Sequence, residues 1–190
     1  MKEKNFIELI QKNEEIMGIL EIIHELSLKD AWLCAGTIRN YIWDTLSQSL
    51  GRNETSDVDV VFYDSGISYE ETIRIEKKLK KEYPNYLWEL KNEVYMHIHN
   101  PDTLPYKSAR DAINKFPEKC TAIALRLNQE KQIEVYAPYG LEELCAFRVS
   151  PTPHFLENKQ RMATFAARIN KKDWQSKWPA IKIEHLKDDI

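Results

Sequence analysis

Ser56-Asp57-Val58-Asp59-Val60-Val61-Phe62-Tyr63-Asp64 is the stretch whose reading decides the fold. Its valines and aromatics mark a β-strand running from Asp57 to Tyr63. Side chains alternate across a strand, so Asp57 and Asp59 share one face while Val58 and Val60 point to the other. Two carboxylates so placed repel each other unless a cation or a hydrogen-bond network compensates. Magnesium suits them, because it takes one or two carboxylates together with phosphate oxygens and waters. Taken alone, the pair reads more readily as two exposed aspartates at a strand edge, or as a turn cap.

Upstream, the apolar run Ala31 to Ala35 predicts a buried strand, broken by Gly36. Thr37 is placed to cap a helix running through Ile38, Tyr41, Ile42 and Leu46. Glycine lets backbone approach a ligand, and the free N–H groups of a first helical turn attract phosphate. Arg39, one turn into that helix, is placed to pair with phosphate or with Asp44. The polar residues Ser47 to Ser56 predict an exposed loop. Further upstream, the apolar positions from Phe6 to Leu26 predict one long helix.

Downstream, Asp64-Ser65-Gly66 stops the strand and a charged helix is expected over Tyr69 to Glu82, ending before Pro84. Tyr86 to His99 reads as a long strand with a bend or bulge. It carries Glu89, an acid among apolar residues, as well as His97 and His99 on one face, which reads as a partly exposed strand face rather than a metal site. Thr121 to Leu127 and Gln132 to Ala137 flank a polar turn and predict a hairpin, whose second arm carries Glu134. Glu89 and Glu134 are both candidates for a third carboxylate; Glu89 is preferred because its strand follows the paired aspartates. Asn100 to Lys107 is expected to be loop, with short helices over Ala109 to Lys115 and Leu141 to Phe147. Ser150-Pro151-Thr152-Pro153 reads as a hinge before a last helix from Phe155 to Asn170. These boundaries divide the chain into a core over residues 1–150 and a helical extension over 151–190 packed on it, one domain overall. Trp174 and Trp178, set among lysines, are expected to pack that extension back onto the core.

The composition is that of an ordinary globular protein: 190 residues, 43% hydrophobic and 30% charged. A net charge of −3 gives no global attraction to nucleic acid or to an anionic membrane, so a nucleic-acid partner requires a local basic patch. The three cysteines form no CxxC pair, which argues against a structural zinc site, and their odd number suggests a reducing, cytoplasmic setting. No run of apolar residues is long enough to span a bilayer, so no membrane partner is expected.

The order of these parts resembles the DNA polymerase beta-like nucleotidyltransferase superfamily, in which Gly-Ser or Gly-Gly opens a helix, Asp-x-Asp follows on a strand and an apolar-flanked acid comes later. More closely, the chain is similar to a bacterial family of nucleotidyltransferase-like proteins. The likeness runs through Ala35 to Asp44, Ser56 to Asp64, Trp88 to Asn92 with Met96-His97, Ala137 to Leu144 and Arg148 to Pro153. It implies an α+β nucleotidyltransferase fold, a mixed twisted sheet flanked by helices. Asp57 and Asp59 would bind Mg2+ or Mn2+, while Glu89 would complete the second metal site or activate the acceptor. Gly36, Thr37 and Arg39 would contact a nucleoside triphosphate. The implied activity is transfer of a nucleoside monophosphate to an acceptor hydroxyl on a small molecule, an RNA or a protein. Thr37 stands where serine or glycine is usual, and the gap from Thr37 to Asp57 is long. Glu93-Val94-Tyr95 stands where Gln-Ala-Arg is expected. The last departure supports the alternative of a catalytically silent relative that binds a nucleotide, RNA or a protein.

Overall fold

Asn13 divides what the apolar spacing presents as one helix. Its Oδ1 accepts a hydrogen bond from the Ile16 N–H at 2.9 Å and caps a new helix, so α1 spans Glu3–Gln11 and α2 spans Glu14–Glu25. The computed structural model describes residues 1–48 and 57–184. Most of the loop expected over Ser47 to Ser56 therefore lies outside the described residues. After α2 come β1 (Trp32–Cys34), α3 (Gly36–Leu46), β2 (Asp57–Phe62), α4 (Tyr69–Glu82) and β3 (Leu87–Asn92). They are followed by α5 (Glu93–Met96), a 3-10 turn (His97–His99), α6 (Ala109–Ile113), β4 (Ala124–Leu127) and β5 (Ile133–Tyr136). The chain then forms α7 (Glu142–Cys145), β6 (Arg148–Val149), α8 (Pro153–Leu156), α9 (Lys159–Lys172), α10 (Trp174–Lys177) and β7 (Lys182–Ile183).

Strands β3-β2-β1-β4-β5 form a five-stranded sheet in that order. The β2–β3 pair is parallel and the other pairs are antiparallel, giving the mixed α+β sheet the sequence implies. Its face carrying Leu33, Val58, Val60, Phe62, Trp88, Leu90 and Leu125 joins the main core with apolar residues of α2, α3 and α4. The other face carries a smaller cluster, in which Trp32, Cys34, Val61 and Ala124 meet Ala109 and Ile113 of α6. One face is thus fully sealed, and the other has room for polar chemistry.

Two expectations fail in instructive ways. The strand expected to run to His99 ends at Asn92, whose Oδ1 accepts from the Val94 N–H while its amide donates to Asp64 O at 2.8 Å and to Ile67 O at 3.1 Å. Asn92 is buried and turns the chain into α5, so His97 and His99 lie on a 3-10 turn rather than on a strand face. Nor is Ser150 to Pro153 a hinge. Ser150 and Thr152 are buried, Thr152 Oγ1 donates to Phe116 O at 2.7 Å, and Ser150 Oγ donates to Glu143 at 2.9 Å. The residues after 150 enter the same core: Phe155, Phe165, Ile169, Trp174, Trp178 and Ile181 are all buried in it. Trp178 Nε1 donates to Asp44 Oδ1 at 2.8 Å, and Trp43 meets both Trp174 and Trp178 edge to face.

Candidate active site

The alternation of β2 delivers its carboxylates as the sequence requires. Val58, Val60 and Phe62 are buried, whereas Asp57 is exposed and Asp59 half-buried on the opposite face. In the parallel register Asp59 lies beside Glu89 of β3, and in the antiparallel register beside Cys34 of β1. Glu89 thus belongs to the same face and the same row as Asp59. Glu134 shares that face but not the row: β5 lies at the far edge of the sheet, and Glu134 accepts from Arg126 Nε at 2.5 Å. Arg126 and Glu134 line a separate cavity of about 740 Å³ beside α2.

Lys91 follows Glu89 on the same strand face. Its Nζ donates to Glu89 Oε2 at 2.7 Å and to Asp59 Oδ1 at 3.4 Å. The spacing Glu89-Leu90-Lys91 signals this in the sequence, yet a lone lysine on a strand reads as solvent-facing. Burial pushes the Asp59 carboxyl up from its ordinary value; Lys91 opposes that shift and Glu89 adds to it. Glu89 is held below its usual range by its hydrogen bond to Lys91. Burial would lower Lys91, but Asp59 and Glu89 hold its ammonium above the ordinary lysine value. The group of acids therefore calls for a cation, and in this structure an ammonium answers part of that call.

Glu93, the first residue after β3, is 3% exposed. Burial raises its carboxyl to about 8, with Lys91 opposing. It is consequently a neutral acid near neutral pH, at the point where β3 gives way to α5.

Above Asp59 lies the start of α3. Ala35 caps it at φ 57°, ψ −117°, a conformation that strains any residue with a side chain. A methyl group at Gly36 would lie 3.8 Å from Asp59 Oδ2 and 3.9 Å from Arg39 Nη2, so the glycine leaves open the space between that acid and that base. Thr37 is not the cap. Its hydroxyl donates to Asp57 O at 3.2 Å and ties the first turn of α3 to the first residue of β2.

Arg39 is 4% exposed and, among the described residues, has no carboxylate partner, Asp44 included. Its Nη1 donates to Thr121 Oγ1 at 3.1 Å and its Nη2 to Asn40 Oδ1 at 2.9 Å, while its Cζ lies 4.3 Å from the Trp174 ring centre. Burial lowers its guanidinium from the ordinary arginine value.

The donor set fits a divalent ion: hard carboxylate oxygens on one sheet face, beside an unencumbered helix start. Among the described residues no three acids, histidines or cysteines already converge tightly enough to enclose one. Lys91 stands between two of the acids.

The model of the family described as Nucleotidyltransferase matches residues 21–183. A solved structure described as revealing a CCA-adding enzyme head domain is 49% identical, covers 97% of each chain and superposes with a TM-score of 0.90. A tRNA-processing enzyme in an apo form is 16% identical and shares the fold at a TM-score of 0.53. That match covers 91% of this chain but only 45% of the enzyme. The curated proteins gave no significant match. Among the described residues no helix is long and apolar enough to cross a membrane.

Proposed function

Because the chain belongs to the nucleotidyltransferase family, we propose that it transfers a nucleoside monophosphate from a nucleoside triphosphate to an acceptor hydroxyl, using Mg2+ or Mn2+. The observation that carries this reading is the row Asp59–Glu89, with Asp57 on the same face, lying under the start of α3. Asp57 and Asp59 hold the metals, and Glu89 completes the second site or takes the acceptor proton. When bound, the metals supply charge neutralisation of the phosphates and acidification of the acceptor hydroxyl.

The remaining work falls to the protein. First-turn N–H groups of α3, at Gly36 and Thr37, face the triphosphate with the positive end of the helix dipole. Gly36 keeps the approach to Asp59 open. Arg39, fixed by Thr121 and the tryptophan rings, holds a positive charge behind that turn. Lys91 neutralises Asp59 and Glu89 until metal and nucleotide arrive.

An RNA 3′-hydroxyl is the first acceptor to try, since the 49%-identical relative is described as a CCA-adding enzyme head domain. The test is transfer of label from an α-labelled triphosphate to RNA, with metal, by wild type and by Asp59→Asn. Removing such an electrostatic group costs on the order of a hundredfold in rate. Equal turnover in a folded Asp59→Asn protein rules the mechanism out. The Lys91 ammonium between the acids favours a second reading, a nucleotide-binding module without turnover. Tight metal-dependent triphosphate binding with no labelled product under any acceptor would select it.

A further inference from the structure

A cavity of about 400 Å³ opens between α3 and the α9–α10 segment, lined by Arg39, Asn40, Lys172, Trp174, Ser176 and Lys177 among others. Arg39 is its informative member. A buried guanidinium is normally matched by a carboxylate or a phosphate, because an unpaired buried charge is expensive. Among the described residues its partners are a hydroxyl and an amide oxygen, and its buried Nε–H has no acceptor. The nearby buried acid, Glu118, is taken by Arg168 Nε. Across the cavity stand Lys172 and Lys177, so cationic groups approach the same space from two elements. Asp173, a carboxylate of the lining, accepts from Ser176 Oγ at 2.6 Å.

We propose that this cavity binds a phosphate group of the acceptor molecule, apart from the metal-bound triphosphate at the start of α3. That the phosphate belongs to an acceptor rests on the nucleotidyl-transfer reading above; that the cavity takes a phosphate does not. Its basic lining suits a phosphate carried without metal, whereas a chelated triphosphate belongs with the carboxylates on the sheet. The two places adjoin, since Arg39 Nη2 and Asp59 Oδ2 both lie just under 4 Å from where a methyl at Gly36 would sit. Lys172, on the cavity rim, also adds to the lowering of the Glu89 carboxyl, after the larger effect of Lys91. A phosphate anchored there would bring the rest of its molecule to Asp59 and Glu89.

The experiment is a titration of the full chain with inorganic phosphate in chelator, followed by NMR at the indole N–H of Trp174. The expected result is a saturating shift, weakened about tenfold or more in Lys172→Ala/Lys177→Ala and restored in Lys172→Arg/Lys177→Arg. The shift is expected to persist in Asp57→Asn/Asp59→Asn, and to survive saturation of wild type with magnesium and a non-hydrolysable triphosphate. No shift at Trp174, or an equal one in the alanine variant, overturns the site. Displacement of phosphate by the magnesium-bound triphosphate overturns its assignment to the acceptor. Loss of turnover in Asp59→Asn bears on the reaction alone, so the two readings fail separately.

Discussion

Lys91 reaches from β3 towards Asp59 on the adjacent strand, with its Nζ 3.4 Å from Asp59 Oδ1 and 2.7 Å from Glu89 Oε2. A cation entering between these acids competes with that ammonium. Lys91→Met should therefore increase the stabilisation produced by Mn2+ at a fixed concentration, read as a thermal shift. Without metal the variant should lose no more than about 1 kcal/mol, because the lysine and its partners are partly exposed and screened by water. A metal response equal to or smaller than that of wild type would contradict the competition.

Glu93 gives a pH dependence with a definite sign. Its carboxyl is raised from 4.5 to about 8 in the folded protein. The folded state keeps a proton that the unfolded chain releases, so its stability contribution is complete below about pH 4.5 and is lost as pH rises towards 8. Glu93→Gln should flatten that slope and leave the protein more stable than wild type at the alkaline end, by an amount on the order of a few kcal/mol at most. Urea unfolding across this pH range measures it. Parallel pH profiles for the two proteins would show that Glu93 ionises normally.

Arg39 and Asp59 should separate stability from chemistry. Truncating Arg39 to alanine empties the space beside Trp43 and Trp174 and strands Thr121 and Asn40, at a cost of about 2–4 kcal/mol. Asp59→Asn removes a desolvated charge and should leave the unfolding midpoint equal or higher. Chemical denaturation of both variants checks the contrast, and an Arg39→Ala protein as stable as wild type would refute the packing role.

The parts of this fold that were legible in the sequence are those set by local periodicity. The alternation of Asp57-Val58-Asp59-Val60 appears in the structure as alternate exposure and burial, and α4 occupies Tyr69–Glu82 as its charged pattern and the following Pro84 suggest. The Asn92 turn was hidden because Val94, Tyr95 and Ile98 carry strand-like side chains, while the deciding bonds run from the Asn92 amide to Asp64 and Ile67 across the fold. The two prolines at 151 and 153 read as punctuation, yet buried hydroxyls on either side tie the segment down.

For the candidate site, residue types and same-face spacing single out Asp57, Asp59 and Glu89, and the β2–β3 register places Glu89, not Glu134, beside Asp59. Lys91 and the basic cavity were beyond sequence reading for different reasons. A lysine two residues from an acid has many solvent-facing precedents. Lys172 and Lys177 become neighbours of Arg39 only when α9 and α10 fold back onto α3, a contact fixed by Trp174 and Trp178.

The central claim is that the aspartate pair holds a metal-bound triphosphate. Its most direct test is a thermal-shift titration with each nucleoside triphosphate, in magnesium or manganese and in chelator, on wild type and Asp57→Asn/Asp59→Asn. At a hundred times Kd, binding to the native state adds about 2.7 kcal/mol of stability. The expected result is a shift that requires metal and vanishes in the double variant. A shift of equal size in the double variant, or none with any triphosphate, would contradict the account.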